Sequence, residues 1–276
     1  MLRQRIITGL VLIALFAGAL VLLPAAGFAA VIGGVILLGA WEWSRLARLE
    51  SPAQRLAYVV LFALAMVLYH WGAVRQPVLL LALAVGWWLL MLFWVLGYPA
   101  SARRWGNRPV MLLMGIMVLL PAWIALCWLL GRWCGAAWFA LVVGVVVSSD
   151  IGAFFGGRAF GRHRLAPAVS PGKTWEGLLC GLALALLVGA VAAPWLGIAA
   201  GDALPWLALI LATGLAGVLG DLGESMVKRA RGLKDSGALL PGHGGVLDRV
   251  DSLSAALPVF VFGAAVLDLT RLAAPG

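Results

Sequence analysis

Charge is scarce in this chain. Only 11% of its 276 residues are Asp, Glu, Lys or Arg, less than half the roughly 25% of an ordinary soluble domain, so a solvated globular surface is excluded. Cysteine is nearly absent: Cys127, Cys134 and Cys180 lie in or beside apolar runs without C-x-x-C spacing. That rules out a disulfide framework and a thiolate zinc site and leaves them as small core or lipid-facing residues. The 35 glycines show no period of three, which excludes a collagen-like repeat. What the chain has instead is apolar length, with 64% hydrophobic residues and a mean hydropathy of +1.05.

That apolar content falls into about nine runs long enough to cross a bilayer as helices: 6–23, 26–42, 56–72, 77–97, 110–130, 134–156, 175–198, 204–222 and 252–270. The expected fold is all-α, a polytopic transmembrane helix bundle forming one integral membrane domain over 1–276. Residues 1–133 supply lipid-embedded N-terminal spans, and 134–276 supply the spans that carry the functional loops. The second and third runs are short, which leaves room for a re-entrant or differently tilted segment. Arg3 and Arg5 before the first run imitate a secretory signal, but the run outlasts an ordinary signal core and more spans follow. It reads as a retained first helix.

Twenty Lys and Arg against eleven Asp and Glu give a net charge of +9. In a soluble protein this would point to nucleic acid; in a membrane protein it reports orientation. Seventeen basic residues fall in the N-terminus and in 43–55, 98–109, 157–174 and 223–251, and three, Arg75, Arg132 and Arg271, fall opposite. The N-terminus is therefore expected inside and the C-terminus outside, in the cell (inner) membrane, with no nucleic-acid partner. Fourteen Trp stand against three Tyr. Trp41, Trp43, Trp87, Trp88, Trp105, Trp133 and Trp195 lie near span ends, where interfacial anchoring is expected.

The acids are unevenly placed. Seven of the eleven, Asp150, Glu176, Asp221, Glu224, Asp235, Asp248 and Asp251, fall within 102 residues, at or near the inner side of the last four spans. An acid at mid-bilayer costs about 2.5–3.5 kcal/mol even on the mildest scale, so such residues face the bundle interior or a wet cavity and imply a function. Asp221, Glu224, Ser225 and Lys228 follow i, i+3, i+4, i+7 and share one helix face. Asp248 and Asp251 repeat the i, i+3 spacing. Between them, Pro241-Gly242-His243-Gly244-Gly245 can bring backbone N–H groups close to a ligand, and Lys228, Arg229, Arg231, Lys234 and Arg249 surround it. Acids, bases and a glycine turn together fit a metal-assisted phosphate site, although Arg231 reads more simply as a membrane-surface charge.

A second loop runs from Gly157 through Arg164 into Ser170-Pro171-Gly172-Lys173-Thr174-Trp175-Glu176. Its Gly-Lys-Thr is not a P-loop, because Pro167 stands where that motif needs its first glycine. Lys173 is left as a candidate phosphate ligand. His70 and His163 read as interface residues; His243, flanked by glycines, is free to meet a ligand.

The run Ser225-x-Val227-Lys228-Arg229, Lys234-Asp235-x-Gly237 and Leu240-Pro241-x-His243-Gly244-Gly245-Val246-x-Asp248-Arg249-Val250-Asp251 resembles the signature of the phosphatidate cytidylyltransferase (CDP-diacylglycerol synthase) family across 27 residues. Ser149-Asp150-x-Gly152-Ala153-Phe154-Phe155 and Ser170-Pro171-x-Lys173-Thr174-Trp175-Glu176-Gly177 resemble it as well. Gly172 departs from the pattern, where a second polar residue often follows the proline. The resemblance spans about 148–252; the first five spans match only in being apolar. It implies transfer of CMP from CTP to phosphatidic acid, giving CDP-diacylglycerol and pyrophosphate in phospholipid biosynthesis, at the cytoplasmic face. It further implies Mg²⁺, with room for a second cation, and a homodimer.

On this reading Asp221 and Asp248 bind one or two cations, with Glu224 and Asp251 as further ligands. Lys228 and His243 assist the reaction, and Ser170, Lys173, Arg229, Lys234 and Arg249 receive substrate phosphates. Asp150, Glu176 and Asp235 are additional candidates. Two rivals remain: an enzyme using CTP on another lipid phosphate, and an anion transporter. The transporter would need polar groups at matching depth across the bilayer, and the first half of the chain is nearly bare of them. A CDP-alcohol phosphatidyltransferase is excluded, because its pattern needs an Asp-Gly pair and none occurs.

Overall fold

A computed structural model describes residues 2–72, 76–132, 134–239 and 244–269. Its helices are α1 (Leu2–Leu22), α2 (Ala25–Leu46), α3 (Pro52–His70), α4 (Pro77–Leu96), a short α5 (Ala102–Trp105), α6 (Arg108–Leu130), α7 (Gly135–Phe160), α8 (Trp175–Trp195), α9 (Ala203–Ala230) and α10 (Leu247–Val266). Between α7 and α8 lies an antiparallel hairpin of β1 (Arg164–Ala166) and β2 (Ser170–Thr174), pairing Arg164 with Thr174 and Ala166 with Ser170. The chain is an integral membrane protein: eight of its helices, α2–α4 and α6–α10, are long and apolar enough to span a bilayer.

The expected ninth span, 6–23, is the helix α1, whose described apolar part is the shorter stretch Thr8–Leu22. The runs 26–42 and 56–72 are both full helices, of 22 and 19 residues, so neither is re-entrant. Helix starts follow local chemistry. Pro52 and Pro77 open α3 and α4, where a missing N–H costs nothing. The Asn107 side chain accepts from the Val110 N–H at 3.1 Å to cap α6, and the Thr174 hydroxyl accepts from the Gly177 N–H at 3.1 Å to cap α8.

Helix α6 runs through the centre, with Met111, Met114, Leu119 and Leu126 inaccessible, whereas α3 buries only Tyr58, Phe62 and Met66. Trp43, Trp88 and Trp105 correct the expectation of interfacial anchoring: each is at most 2% exposed and belongs to the core. The Trp43 indole donates to the Met111 carbonyl at 2.8 Å. Trp195 is 88% exposed; Trp133 lies outside the described residues.

Helices α7 and α8 pack along glycines. A Cβ at Gly152 would sit 2.8 Å from the Cys180 carbonyl oxygen, and one at Gly181 2.4 Å from that of Ser149. Small residues four apart allow this backbone approach, as is usual between membrane helices. Long-range bonds gather the functional loops at one end of the bundle. Arg108, opening α6, bonds the Arg48 carbonyl beyond α2. Arg45 of α2 reaches the Ser236 carbonyl beyond α9 at 3.0 Å, and Arg229, closing α9, reaches the Val169 carbonyl in the hairpin at 3.3 Å.

Candidate active site

The site is built on the crossing of α9 and α10. A Cβ at Gly220 would lie 2.4 Å from the Asp251 carbonyl oxygen, so glycine lets the two backbones touch just where Asp221 must meet α10. Helix α9 continues past the predicted end at 222 to Ala230, which places Asp221, Glu224, Ser225 and Lys228 on one helix, as their spacing predicts. The Ser225 hydroxyl donates to Asp221 Oδ1 at 3.2 Å. Lys228 Nζ sits 2.6 Å from Asp248 Oδ1 and 3.3 Å from Glu224 Oε1, with all three side chains under 10% exposed. Charges held this far from water interact much more strongly than surface pairs do.

Helix α10 begins at Leu247, five residues before the predicted span, so Asp248 lies in its first turn, where a negative charge is favoured. Its second oxygen accepts from the Ser236 N–H at 3.0 Å, the Ser236 hydroxyl at 3.0 Å and the Gly245 N–H at 2.8 Å. Asp248 thus binds the lysine with one oxygen and gathers the connecting loop with the other. Gly244 has φ +82°, and a Cβ there would lie 2.8 Å from Asp248 Oδ2 and 3.5 Å from the Asp235 Cβ. Only glycine suits that position, on both conformation and space.

The hairpin delivers Lys173, whose Nζ is 2.6 Å from Asp221 Oδ2 with both side chains partly exposed. Lys173, Thr174 and Asp150, with Leu165, Leu178 and Val218, line a cavity of about 220 Å³. Ser170 opens β2 opposite Ala166. Arg229 donates to the carbonyls of Val169 and Leu233, fastening the hairpin to α9. Glu176 is committed to the hairpin's approach: it accepts from the N–H groups of Arg162 and His163 and lies 2.6 Å from His163 Nδ1. Lys234, Asp235 and Arg249 stand exposed on the same end of the bundle. His243 lies outside the described residues.

One residue of the site went unseen in the sequence. Glu42 of α2, 3% exposed, accepts from the Val246 N–H, the Leu247 N–H and the Ser236 hydroxyl, each at 3.0 Å. A Cβ at Gly237 would come within 2.2 Å of its Oε1, and one at Gly245 within 2.5 Å of its Oε2. Two signature glycines therefore make room for a carboxylate from the otherwise unspecific first half. The available signal was a lone acid inside an apolar run, for which burial with partners is the rule.

Carboxylates outnumber bases within the cluster. Asp150 and Asp221, Asp221 and Asp251, and Asp251 and Glu224 interact electrostatically through space, against Lys173 and Lys228. Both Glu224 carboxylate oxygens are buried without a hydrogen bond, leaving only the Lys228 ion pair. An all-oxygen donor set with orphaned oxygens fits a hard cation such as Mg²⁺. Among the described residues no three acids or other ligating side chains form a ready-made cage. Mg²⁺ typically takes one or two carboxylates and completes its shell with substrate phosphates and water, and these residues fit that mode.

The fold and the site together define a polytopic membrane protein with a cluster of paired lysines and carboxylates at one end. Residues 3–267 match the Cytidylyltransferase family, and the chain belongs to it. It is 49% identical to the phosphatidate cytidylyltransferase of Pseudomonas aeruginosa, over 94% of this chain and 96% of that protein. It is 40% identical to the phosphatidate cytidylyltransferase of Haemophilus influenzae, over 95% and 98% respectively.

Proposed function

We propose that this protein transfers CMP from CTP to phosphatidate, yielding CDP-diacylglycerol and pyrophosphate. The observation that carries this reading is the paired charge cluster Lys173–Asp221 and Lys228–Asp248, set at one end of an apolar bundle in a member of the Cytidylyltransferase family. An oxygen of the lipid phosphate attacks the α-phosphorus of CTP, a new P–O bond forms, and the α–β bridging P–O bond breaks with its electron pair leaving on pyrophosphate. The lipid phosphate is already anionic at neutral pH, so the main obstacle is repulsion between phosphates.

Without substrate, the lysines and carboxylates neutralise one another. On binding, Lys173 and Lys228 exchange carboxylate oxygens for phosphate oxygens, and Arg229, Lys234 and Arg249 line the approach. Asp221, Glu224 and Asp251, with Asp248, would hold Mg²⁺, alone or with a second cation. A metal held there would supply charge neutralisation for the nucleotide phosphates. Ser225 orients Asp221 through its hydroxyl, and the buried position of Lys228 keeps its charge unscreened. His243 donates a hydrogen bond to a phosphate, and Ser170 contributes a hydroxyl at the hairpin. The site end faces the cytoplasm, following the basic residues of its loops, and two copies associate as a homodimer in the cell membrane.

The test is turnover of labelled CTP by purified protein in detergent–phosphatidate micelles, with and without Mg²⁺. CDP-diacylglycerol forming with Mg²⁺ and stopping on chelation is the expected result. Use of CTP only with a different lipid phosphate would overturn the substrate assignment, and no use of CTP by folded protein would overturn the reaction.

A further inference from the structure

Beside the charged cavity lies a second one, of about 290 Å³, between α4, α8, α9 and the hairpin. Its walls include Leu92 and Leu96 of α4, Ala168 and Val169 of the hairpin turn, and Leu215 and Leu219 of α9; among its lining residues only Tyr98 and Trp175 carry polar side-chain groups. The transfer of CMP at the charge cluster does not use it. The two cavities share three wall residues, Leu165, Leu178 and Val218. Ala166 and the turn residues Pro167, Ala168 and Val169 line the apolar cavity, Lys173 and Thr174 of β2 line the charged one, and Leu165 of β1 faces both, so the hairpin stands between an apolar cavity and a cationic one.

This juxtaposition matches a molecule with an anionic end and a hydrocarbon end. A phosphate at Lys173 leaves its attached chain on the side of Leu165, Leu178 and Val218. Its rim reaches the outer surface of the bundle, where Trp175 is 51% and Leu215 44% exposed. A chain can therefore enter sideways from the bilayer instead of through water. The volume falls near the lower end of the usual range for small-ligand clefts, about 300–1,000 Å³, which is room for part of one chain. A second chain stays in the surrounding lipid.

We propose that this cavity is an acyl-chain subsite, holding one hydrocarbon chain of the lipid substrate while the phosphate lies at Lys173, and thereby setting chain-length preference. This rests on the lipid-phosphate reading given above. The discriminating quantity is the ratio of kcat/KM for dipalmitoyl over dioctanoyl phosphatidate, measured on the purified full-length protein at fixed surface concentration. Ala168→Phe and Ala166→Phe narrow the cavity from the hairpin. Each methylene excluded from an apolar site is worth about fourfold in affinity, so displacing two or more should lower the ratio about tenfold or more. Leu215→Ala opens the rim and should raise the ratio. Leu61→Phe, on the exposed face of α3, should leave it unchanged.

An unchanged ratio in both phenylalanine variants and in Leu215→Ala overturns the subsite. Wild-type protein that uses no phosphatidate of any length overturns the lipid-phosphate reading instead, so the two failures are distinct. If the phenylalanine variants do not fold, a phosphatidate with a photoreactive group at the chain end decides on the wild type. Cross-links to the segments holding Leu92, Leu96 and Leu219 are expected. Cross-links confined to α2 and α3 would overturn the proposal.

Discussion

At Glu42, one carboxylate satisfies two backbone donors that would otherwise be buried unpaired, the Val246 and Leu247 N–H groups that open α10, and it shares the Ser236 hydroxyl with Asp248. Glu42→Ala strands both N–H groups, and a buried unsatisfied donor costs about 1–3 kcal/mol. The expected outcome is a melting temperature in detergent lowered by several degrees and turnover reduced at least about tenfold, since each kcal/mol lost shifts a melting point by about 2–4 °C in a chain of comparable size. Glu42→Gln keeps one acceptor and should fall between. Asp248→Asn retains the shape of the side chain but removes the charge facing Lys228. Turnover should drop by about 100-fold or more, the scale of losing one preorganised electrostatic contact, in protein that still inserts and remains monodisperse. Wild-type activity in Asp248→Asn would remove that aspartate from the proposed phosphate chemistry.

Glycines decide where elements touch. Gly181 on α8 lies against the Ser149 carbonyl of α7, and Gly220 on α9 lies against the Asp251 carbonyl of α10; in both places even a methyl group forces backbones apart. Gly181→Ala should lower both stability and activity, because α8 carries the hairpin and Lys173 at its start. Gly86→Ala is the matched control. It meets nothing within 4 Å, and replacing an interior helical glycine stabilises by about 0.5–1 kcal/mol. Parallel thermal melts and CTP turnover on the two variants check the contrast. The glycine faces of α7 and α8, which in the sequence could equally have served association between chains, are used within the chain.

Across the whole molecule, the basic loops gather at the site end, and the native thiol of Cys134, exposed before α7, marks the opposite end. With the site facing the cytoplasm, a membrane-impermeant maleimide should label Cys134 in right-side-out vesicles. A Lys234→Cys variant in a Cys134→Ser background should react only after permeabilisation. The reverse pattern would invert the topology. The two halves are joined at the site: Glu42 and Arg45 from α2 hold the loop between α9 and α10. A chain reduced to 134–276 should therefore show no turnover even where it inserts, measured in the same micellar assay.

Composition and periodicity by themselves determined the class of fold, because a chain with this little charge can satisfy its backbone in lipid only as helices or a closed barrel, and its runs have helical length. Spacing determined that Asp221, Glu224, Ser225 and Lys228 share a face, since i, i+3, i+4 and i+7 converge on any α-helix. The hairpin escaped such reading, because Pro171 and Gly172 are poor strand residues and pairing with β1 holds them there. Burial of Trp43, Trp88 and Trp105 escaped it too, because depth along a span says nothing about which side of the bundle a ring faces. Only the tertiary structure decided that Lys173 meets Asp221, that Asp248 divides its oxygens between Lys228 and the loop, and that Glu42 completes the site from nearly two hundred residues away. Those contacts depend on how closely the helix backbones approach. That distance is set by glycines facing the backbone or side chain of a distant element, as Gly220 faces Asp251 and Gly245 faces Glu42, which no single segment of sequence contains.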